Sequence, residues 1–135
     1  VETSKRTPRH EELLALFEVH FETERRNDVE ACMKTLHPEI VYEHPFRPGE
    51  DFLLEGTDAV RAYYIRHWGA QPFESIVVQR SWLCGDDTLL CEVETTVGGA
   101  GGSRKATSFA LGVFRDGLLI REITMTGPFA PVAGA

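Results

Sequence analysis

Two imidazoles and one carboxylate are the residues of this chain best placed to do chemistry. Val41-Tyr42-Glu43-His44-Pro45 alternates apolar and polar residues like a half-buried strand. Pro45 closes it, because proline cannot donate to a strand ladder. His44 therefore sits at a strand end, where a side chain can enter a cavity. Imidazole changes charge near neutral pH, so His44 is a candidate general base or acid; the plainer reading is a histidine bonded to a backbone carbonyl. His20 falls inside the apolar stripe of a helix, where a hydrogen-bonded core histidine is the usual occupant. Glu122 lies midway along the last strand, between Arg121 and Ile123. A buried carboxylate without a partner costs several kcal/mol. It is thus either functional, ion-paired with Arg80 or Arg104, or exposed through a flipped register. Tyr42, Tyr63, Trp68, Trp82 and Phe109 supply aromatic surface for a ligand, although each taken singly is as easily a core residue.

The elements that must hold these groups follow from spacing. Thr7-Pro8 starts a helix, with Thr7 as its cap. Leu13, Leu16, Phe17, His20 and Phe21 form its inner stripe, with Leu14 beside it. Glu18, Glu22, Arg25 and Arg26 face out. Asn27-Asp28 breaks this helix and caps a second, on which Val29, Cys32, Met33 and Leu36 share a face; His37-Pro38 ends it. Glu39 to Pro45 is a strand, and Phe46 to Glu55 a loop turning at Pro48-Gly49. A third helix, capped by Thr57, buries Val60, Tyr63, Tyr64 and His67, and Gly69 ends it. The period then changes to two. Strands are expected over 73–84, 88–97, 104–115 and 118–126, with turns at Gly85-Asp86-Asp87 and Asp116-Gly117 and a glycine-rich tip at 98–102. The order is α+β.

Composition narrows the function classes. The chain has 135 residues, 42% hydrophobic and 26% charged, which suits one soluble domain. A net charge of -7 with no basic run argues against nucleic acid and anionic membranes. No apolar stretch approaches the roughly 20 residues that span a bilayer, and residues 1–9 lack the apolar core of a signal peptide. Cys32, Cys84 and Cys91 all lie in apolar sequence without a C-x-x-C pair, so they read as reduced core residues of a cytoplasmic protein. His10, His20, His37, His44 and His67 fall on different elements without ligand spacing. Neither a metal nor any other cofactor is expected. The glycine-rich tip joins two strands and opens no helix, so it is not a phosphate loop.

Glu43-His44-Pro45, the run Leu54-Glu55-Gly56-Thr57-Asp58-Ala59-Val60-Arg61-Ala62-Tyr63-Tyr64 and the hairpin Phe114-Arg115-Asp116-Gly117 together resemble the nuclear transport factor 2-like superfamily. The likeness is to its ketosteroid isomerase and SnoaL-like (polyketide cyclase) branches and spans roughly Leu14 to Pro128. It implies a single domain shaped as a cone. A curved, mainly antiparallel (mixed) sheet would pack on three N-terminal helices and enclose one deep apolar pocket, often in a homodimer. Residues 1–8 and 129–135 would be flexible tails. In ketosteroid isomerases the base is the aspartate of Glu-Asp-Pro, and His44 stands there in this chain. The oxyanion-hole tyrosine falls at His20, and its supporting tyrosine is kept as Tyr64. The protonated aspartate falls near Gly112, which has no side chain, so the steroid-isomerase mechanism does not carry over. Alignment turns Glu122, with Thr124 and Thr126, toward the pocket, much like an acid in phenazine-biosynthesis relatives. It also turns Glu92 inward.

The resemblance therefore implies a cofactor-independent enzyme that moves protons on an apolar oxygenated small molecule, by isomerisation, dehydration or aldol-type cyclisation. His44 would be base or acid, and Glu122 its partner or an independent acid. His20 and Tyr64 would donate to an oxyanion. The alternative is a non-catalytic ligand-binding or dimerisation module of the same fold. A homodimer is expected through the outer sheet face, where Val93, Ile123 and Met125 are placed.

Overall fold

The computed structural model describes residues 6–45 and 53–132. Helix α1 (Pro8–Arg25) starts where the sequence says it should: Thr7 accepts a hydrogen bond from the His10 amide at 3.1 Å, and Pro8 occupies the first turn. Helix α2 (Val29–Met33) is capped by Asp28, which accepts from Ala31 N. It is shorter than its apolar spacing suggests. Leu36 already belongs to β1 (Leu36–Glu43), because the chain must enter the sheet before His37-Pro38 rather than after it. Strand β2 (Leu53–Glu55) leads into helix α3 (Thr57–Ala70). Thr57 is the first helical residue and not its cap: Gly56 holds that place at φ +89°, and no side chain caps the amides. Strands β3 (Phe73–Leu83), β4 (Thr88–Val97), β5 (Arg104–Arg115) and β6 (Leu118–Thr126) follow, then the short β7 (Ala130–Pro131).

The strands form one mixed sheet in the order β2-β1-β6-β5-β4-β3, with β7 on β5. β1 runs parallel to β6, and the other pairs are antiparallel. Of the expected tails, residues 1–5 and 133–135 lie outside the described residues; within the described ones Pro8 is helical, and Ala130–Pro131 pairs with Arg104 and Lys105. Of the long loop expected over 46–55, the Pro48-Gly49 turn lies outside the described residues, and its last three residues are β2.

The helices cover one face of this sheet. Leu13, Phe17 and Phe21 of α1, Val60 and Tyr64 of α3, and Ile40, Leu89, Cys91 and Leu119 from the strands are buried together. The end of α1 is fastened to β3. Asn27 exchanges two hydrogen bonds with the Phe73 backbone, and Arg25 Nε donates to Ile76 O at 2.8 Å.

Alternation along the strands is broken at two places that decide which residues face in. On β3, Val78 pairs with Val93 but Arg80 pairs with Glu92, so Gln79 is an extra residue, a β-bulge. On β6, Arg121 pairs with Val113 but Leu119 pairs with Phe114, so Ile120 is extra. Each bulge reverses side-chain parity along its strand.

These reversals and the burial pattern correct several expectations. Trp82 would face inward with Ile76 by plain alternation. The bulge at Gln79 turns it out, where it is 39% exposed with Arg80 over its ring. Phe109 faces out opposite Met125, because the small residues Ala106, Ser108, Ala110 and Gly112 occupy the inner face of β5. On β4 the buried set is Leu89, Cys91, Val93, Thr95 and Val97. Glu92 is therefore outside, paired with Arg80 at 2.6 Å, and Val93 is inside rather than on the outer face. Cys84 is exposed, unlike Cys32 and Cys91. Among the described residues no helix is long and apolar enough to cross a membrane.

Candidate active site

The inner face of the sheet and the helices leave a cavity of about 530 Å³. Its wall is aromatic and aliphatic: Phe21, Tyr63, Trp68, Phe73, Ile76 and Val93 contribute. Its polar groups include Glu24, Tyr42, His44, His67, Glu122 and Thr124. Among the described lining residues there is no lysine or arginine.

Tyr42, His44, Tyr63, Trp68, Glu122, Thr124 and Thr126 thus line the cavity as expected. His20 and Tyr64 are completely or almost completely buried and stand behind the wall, so direct donation from either to a ligand is not supported. Tyr64 stacks on Trp68 with ring centres 4.5 Å apart, and its hydroxyl has no hydrogen-bond partner among the described residues.

His44 and Glu122 do not share a bond shown here; each has its own partner. His44 Nε2 lies 2.5 Å from the Tyr42 hydroxyl. Tyr42 sits opposite Glu122 in the parallel β1–β6 ladder. Burial first, and then the Glu122 charge, hold the Tyr42 phenol well above its ordinary value, so it stays protonated.

Glu122 faces His20. Its Oε1 is 3.4 Å from His20 Nε2, its other oxygen is 3.5 Å from Thr124 Oγ1, and the side chain is nearly inaccessible. A third ionisable group completes this cluster. Glu24 Oε1 is 3.7 Å from the same Nε2. Glu24 was not singled out by sequence reasoning, although the signal exists: it is four residues beyond His20 and hence on the same helix face.

Hydrogen bonds behind His20 fix its orientation. Thr35 Oγ1 donates its one hydrogen to Cys32 O at 2.6 Å. The same oxygen, 2.8 Å from His20 Nδ1, must therefore accept, which places a proton on Nδ1. Nε2 is thereby aimed at two carboxyl groups. Burial acts most strongly on this ring and lowers its proton affinity. Cys32, Glu24 and Glu122 act the other way and together hold it well above the usual 6.5. Burial is also the main influence on Glu24, pushing it from 4.5 up to about 8 against the attraction of His20.

This has a consequence for stability. Between about pH 4.5 and 8 the folded protein keeps a proton on Glu24 that the unfolded chain has released, so stability falls as pH rises through that window. The raised His20 acts in the same direction: its contribution is full below 6.5 and is lost as pH rises through its folded value. Urea midpoints measured across this window should fall for the wild type and fall less for Glu24→Gln. A wild-type midpoint that rises across it would contradict this account.

The fold and this cavity define a class. The chain belongs to the SnoaL-like domain family, which matches it over residues 17–122, and its architecture is that of the nuclear transport factor 2-like, ketosteroid isomerase-like fold. A Bacillus subtilis protein provisionally named an isomerase superposes with a TM-score of 0.81 at 17% identity, over 90% of this chain and 91% of that one. A ketosteroid isomerase-like protein from Erwinia carotovora atroseptica gives 0.71 at 17% identity, over 91% and 100%. A Mycobacterium tuberculosis protein in complex with estradiol-17beta-hemisuccinate gives 0.73 at 13% identity, over 84% and 92%. Comparison with curated proteins returns no match.

Proposed function

We propose that the protein is a cofactor-independent proton-transfer enzyme acting on an apolar, uncharged, oxygenated small molecule by isomerisation, dehydration or aldol-type cyclisation. One observation carries this reading. Glu122 Oε1 is buried, lines an apolar cavity and has no hydrogen-bond partner among the described residues. His20 Nε2, 3.4 Å away behind the wall, supplies its counter-charge, and the carboxyl group is presented to the cavity for a ligand. His44, backed by Tyr42, takes a proton from the substrate. Glu122, held by His20 as a carboxylate, accepts a hydrogen bond from a second oxygen group of the substrate. No lysine or arginine stands among the described lining residues to hold a carboxylate or phosphate, which favours an uncharged substrate.

The test is hydrogen exchange with solvent. The purified protein is incubated in D2O with a panel of apolar ketones and with a metabolite extract, and mass spectrometry follows protein-dependent deuterium uptake. A second reading, a binding module without turnover, draws support from Gly112, where a catalytic acid would stand in ketosteroid isomerases. It would show ligand retention with no exchange.

The protein is also proposed to act as a homodimer through the convex face of the sheet. Trp82, Leu90, Leu111 and Ile123 lie in one row there, beside Phe109 and Met125. Exposed apolar faces of this kind mark interfaces. Sedimentation should show a dimer at micromolar concentration, and Trp82→Glu with Ile123→Glu should give monomer. A wild-type protein that sediments only as monomer would overturn this.

A further inference from the structure

We propose that Glu24 is a catalytic acid of this pocket: its carboxyl group carries a proton into the cavity and gives it to the ligand oxygen on which negative charge develops. Thr35 has spent its only hydrogen on Cys32 O, so His20 must present a protonated Nδ1 to it. His20 Nε2 then faces Glu122 Oε1 at 3.4 Å and Glu24 Oε1 at 3.7 Å, in a pocket where none of the three groups is well hydrated.

A neutral ring would turn a lone pair toward two carboxylates. A proton on Nε2 removes that conflict but balances only one of the two negative charges. Among the described residues the second carboxylate has no cation within ion-pair distance other than His20: Arg25 attracts it only from afar, being engaged with Glu18, Glu22 and the Ile76 carbonyl. A second proton is therefore needed, and it belongs on Glu24, which at 3.7 Å lies farther from the charged Nε2 than Glu122 at 3.4 Å and is the less stabilised by it as a carboxylate. The upward push on Glu24 has the same sense.

The step balances without a cofactor. Tyr42–His44 removes a proton from the carbon beside a carbonyl. The electron pair of that C–H bond becomes a C=C bond, the π pair of the carbonyl moves to its oxygen, and the Glu24 O–H bond breaks as its proton passes to that oxygen. The enol then returns its O–H proton to Glu24 as the carbonyl re-forms, while the proton held by His44 passes to another carbon, completing an isomerisation, or to a departing hydroxyl group as water, completing a dehydration.

The inference rests on the proposed reaction only for its kinetic arm; its first arm is spectroscopic and needs no substrate. Infrared difference spectra of the ligand-free protein should show a protonated-carboxyl stretch at pH 7 that disappears above about pH 8. The band should be absent in Glu24→Gln and retained in Glu24→Asp. Nitrogen NMR should show His20 Nδ1 protonated at pH 7. Other groups facing Glu24 or its cavity titrate too, namely His20, Glu122, Tyr42, His44 and His67, so the Glu24 variants are what assign the band. No carboxyl band at pH 7, a band that survives in Glu24→Gln, or an unprotonated Nδ1 would each overturn the proposal.

In the exchange assay, wild-type rate should fall as pH rises through about 8, and Glu24→Gln should lower kcat about 10²–10⁴-fold and remove that fall. Unchanged kcat in a Glu24→Gln protein that still catalyses exchange would overturn the proposal while leaving the enzyme reading intact. Absence of exchange in the wild type, with the infrared band present, would sink the enzyme reading and leave the proton on Glu24 established.

Discussion

His44→Ala and Glu122→Gln are each expected to slow catalysed proton exchange by about two to four orders of magnitude, with circular dichroism unchanged. The two losses have different causes. His44 lies at the end of β1, lines the cavity and is bonded to Tyr42. Removing it deletes the proposed proton acceptor, so exchange should fall while ligand retention in the cavity is kept. Glu122 is held from behind by His20 and from the side by Thr124. Glutamine keeps the volume and one carbonyl oxygen but removes the charge that His20 faces. Its effect should therefore reach His20, whose proton affinity drops when a nearby negative charge is lost. Nitrogen NMR of His20 in Glu122→Gln reports this directly. Full turnover in either variant would end the proposed roles.

Gly112→Ala should destabilise the protein by about 1–3 kcal/mol, and Gly112→Asp by more. The inner face of β5 passes under helix α1 at this residue. A Cβ built there would lie 2.8 Å from Phe17 Cε2 and 3.0 Å from Leu119 Cδ1. Phe17 cannot step aside easily, because it stacks on Phe21 at 4.4 Å and meets Phe114 edge-on at 5.5 Å. An aspartate adds an acid with no room for a partner. The place where ketosteroid isomerases keep a protonated acid is thus filled here by an aromatic ring, so restoring the acid should not restore that chemistry. Thermal melts decide the matter: an unchanged midpoint for Gly112→Ala would mean the helix and sheet are further apart than described.

Much of this architecture was legible from residue spacing. The bounds of β4, β5 and β6 coincide with those read from period-two patterning, because long strands with one buried face repeat their signal many times. Strands β2 and β7 escaped because three and two residues cannot show a period. The site was read less well. On β4 the apolar residues alone mark Cys91 and Val93 as inward, and following the family alignment instead misplaced Glu92. Trp82 was lost to a bulge, which leaves no trace in composition. Glu24 was lost among the other charges of α1, since a carboxylate near a helix end normally reads as solvated.

The extra residue at Ile120 has a wider consequence. It allows both Leu119 and Glu122 to point inward, one into the core beneath α1 and the other into the cavity. Were Ile120 drawn into the ladder so that the strand alternated plainly, every side chain beyond it would change sides. Ile123 and Met125 would then line the cavity, and Glu122 and Thr124 would stand on the convex face. Deleting Ile120, by contrast, would leave Leu119 opposite Phe114 and Glu122 opposite Gly112, both still inward. The chemistry of this wall thus hangs on one residue left out of the ladder: a slip of register there, with no change of composition, can exchange a polar reaction chamber for a greasy one and carry its carboxylate to the convex face.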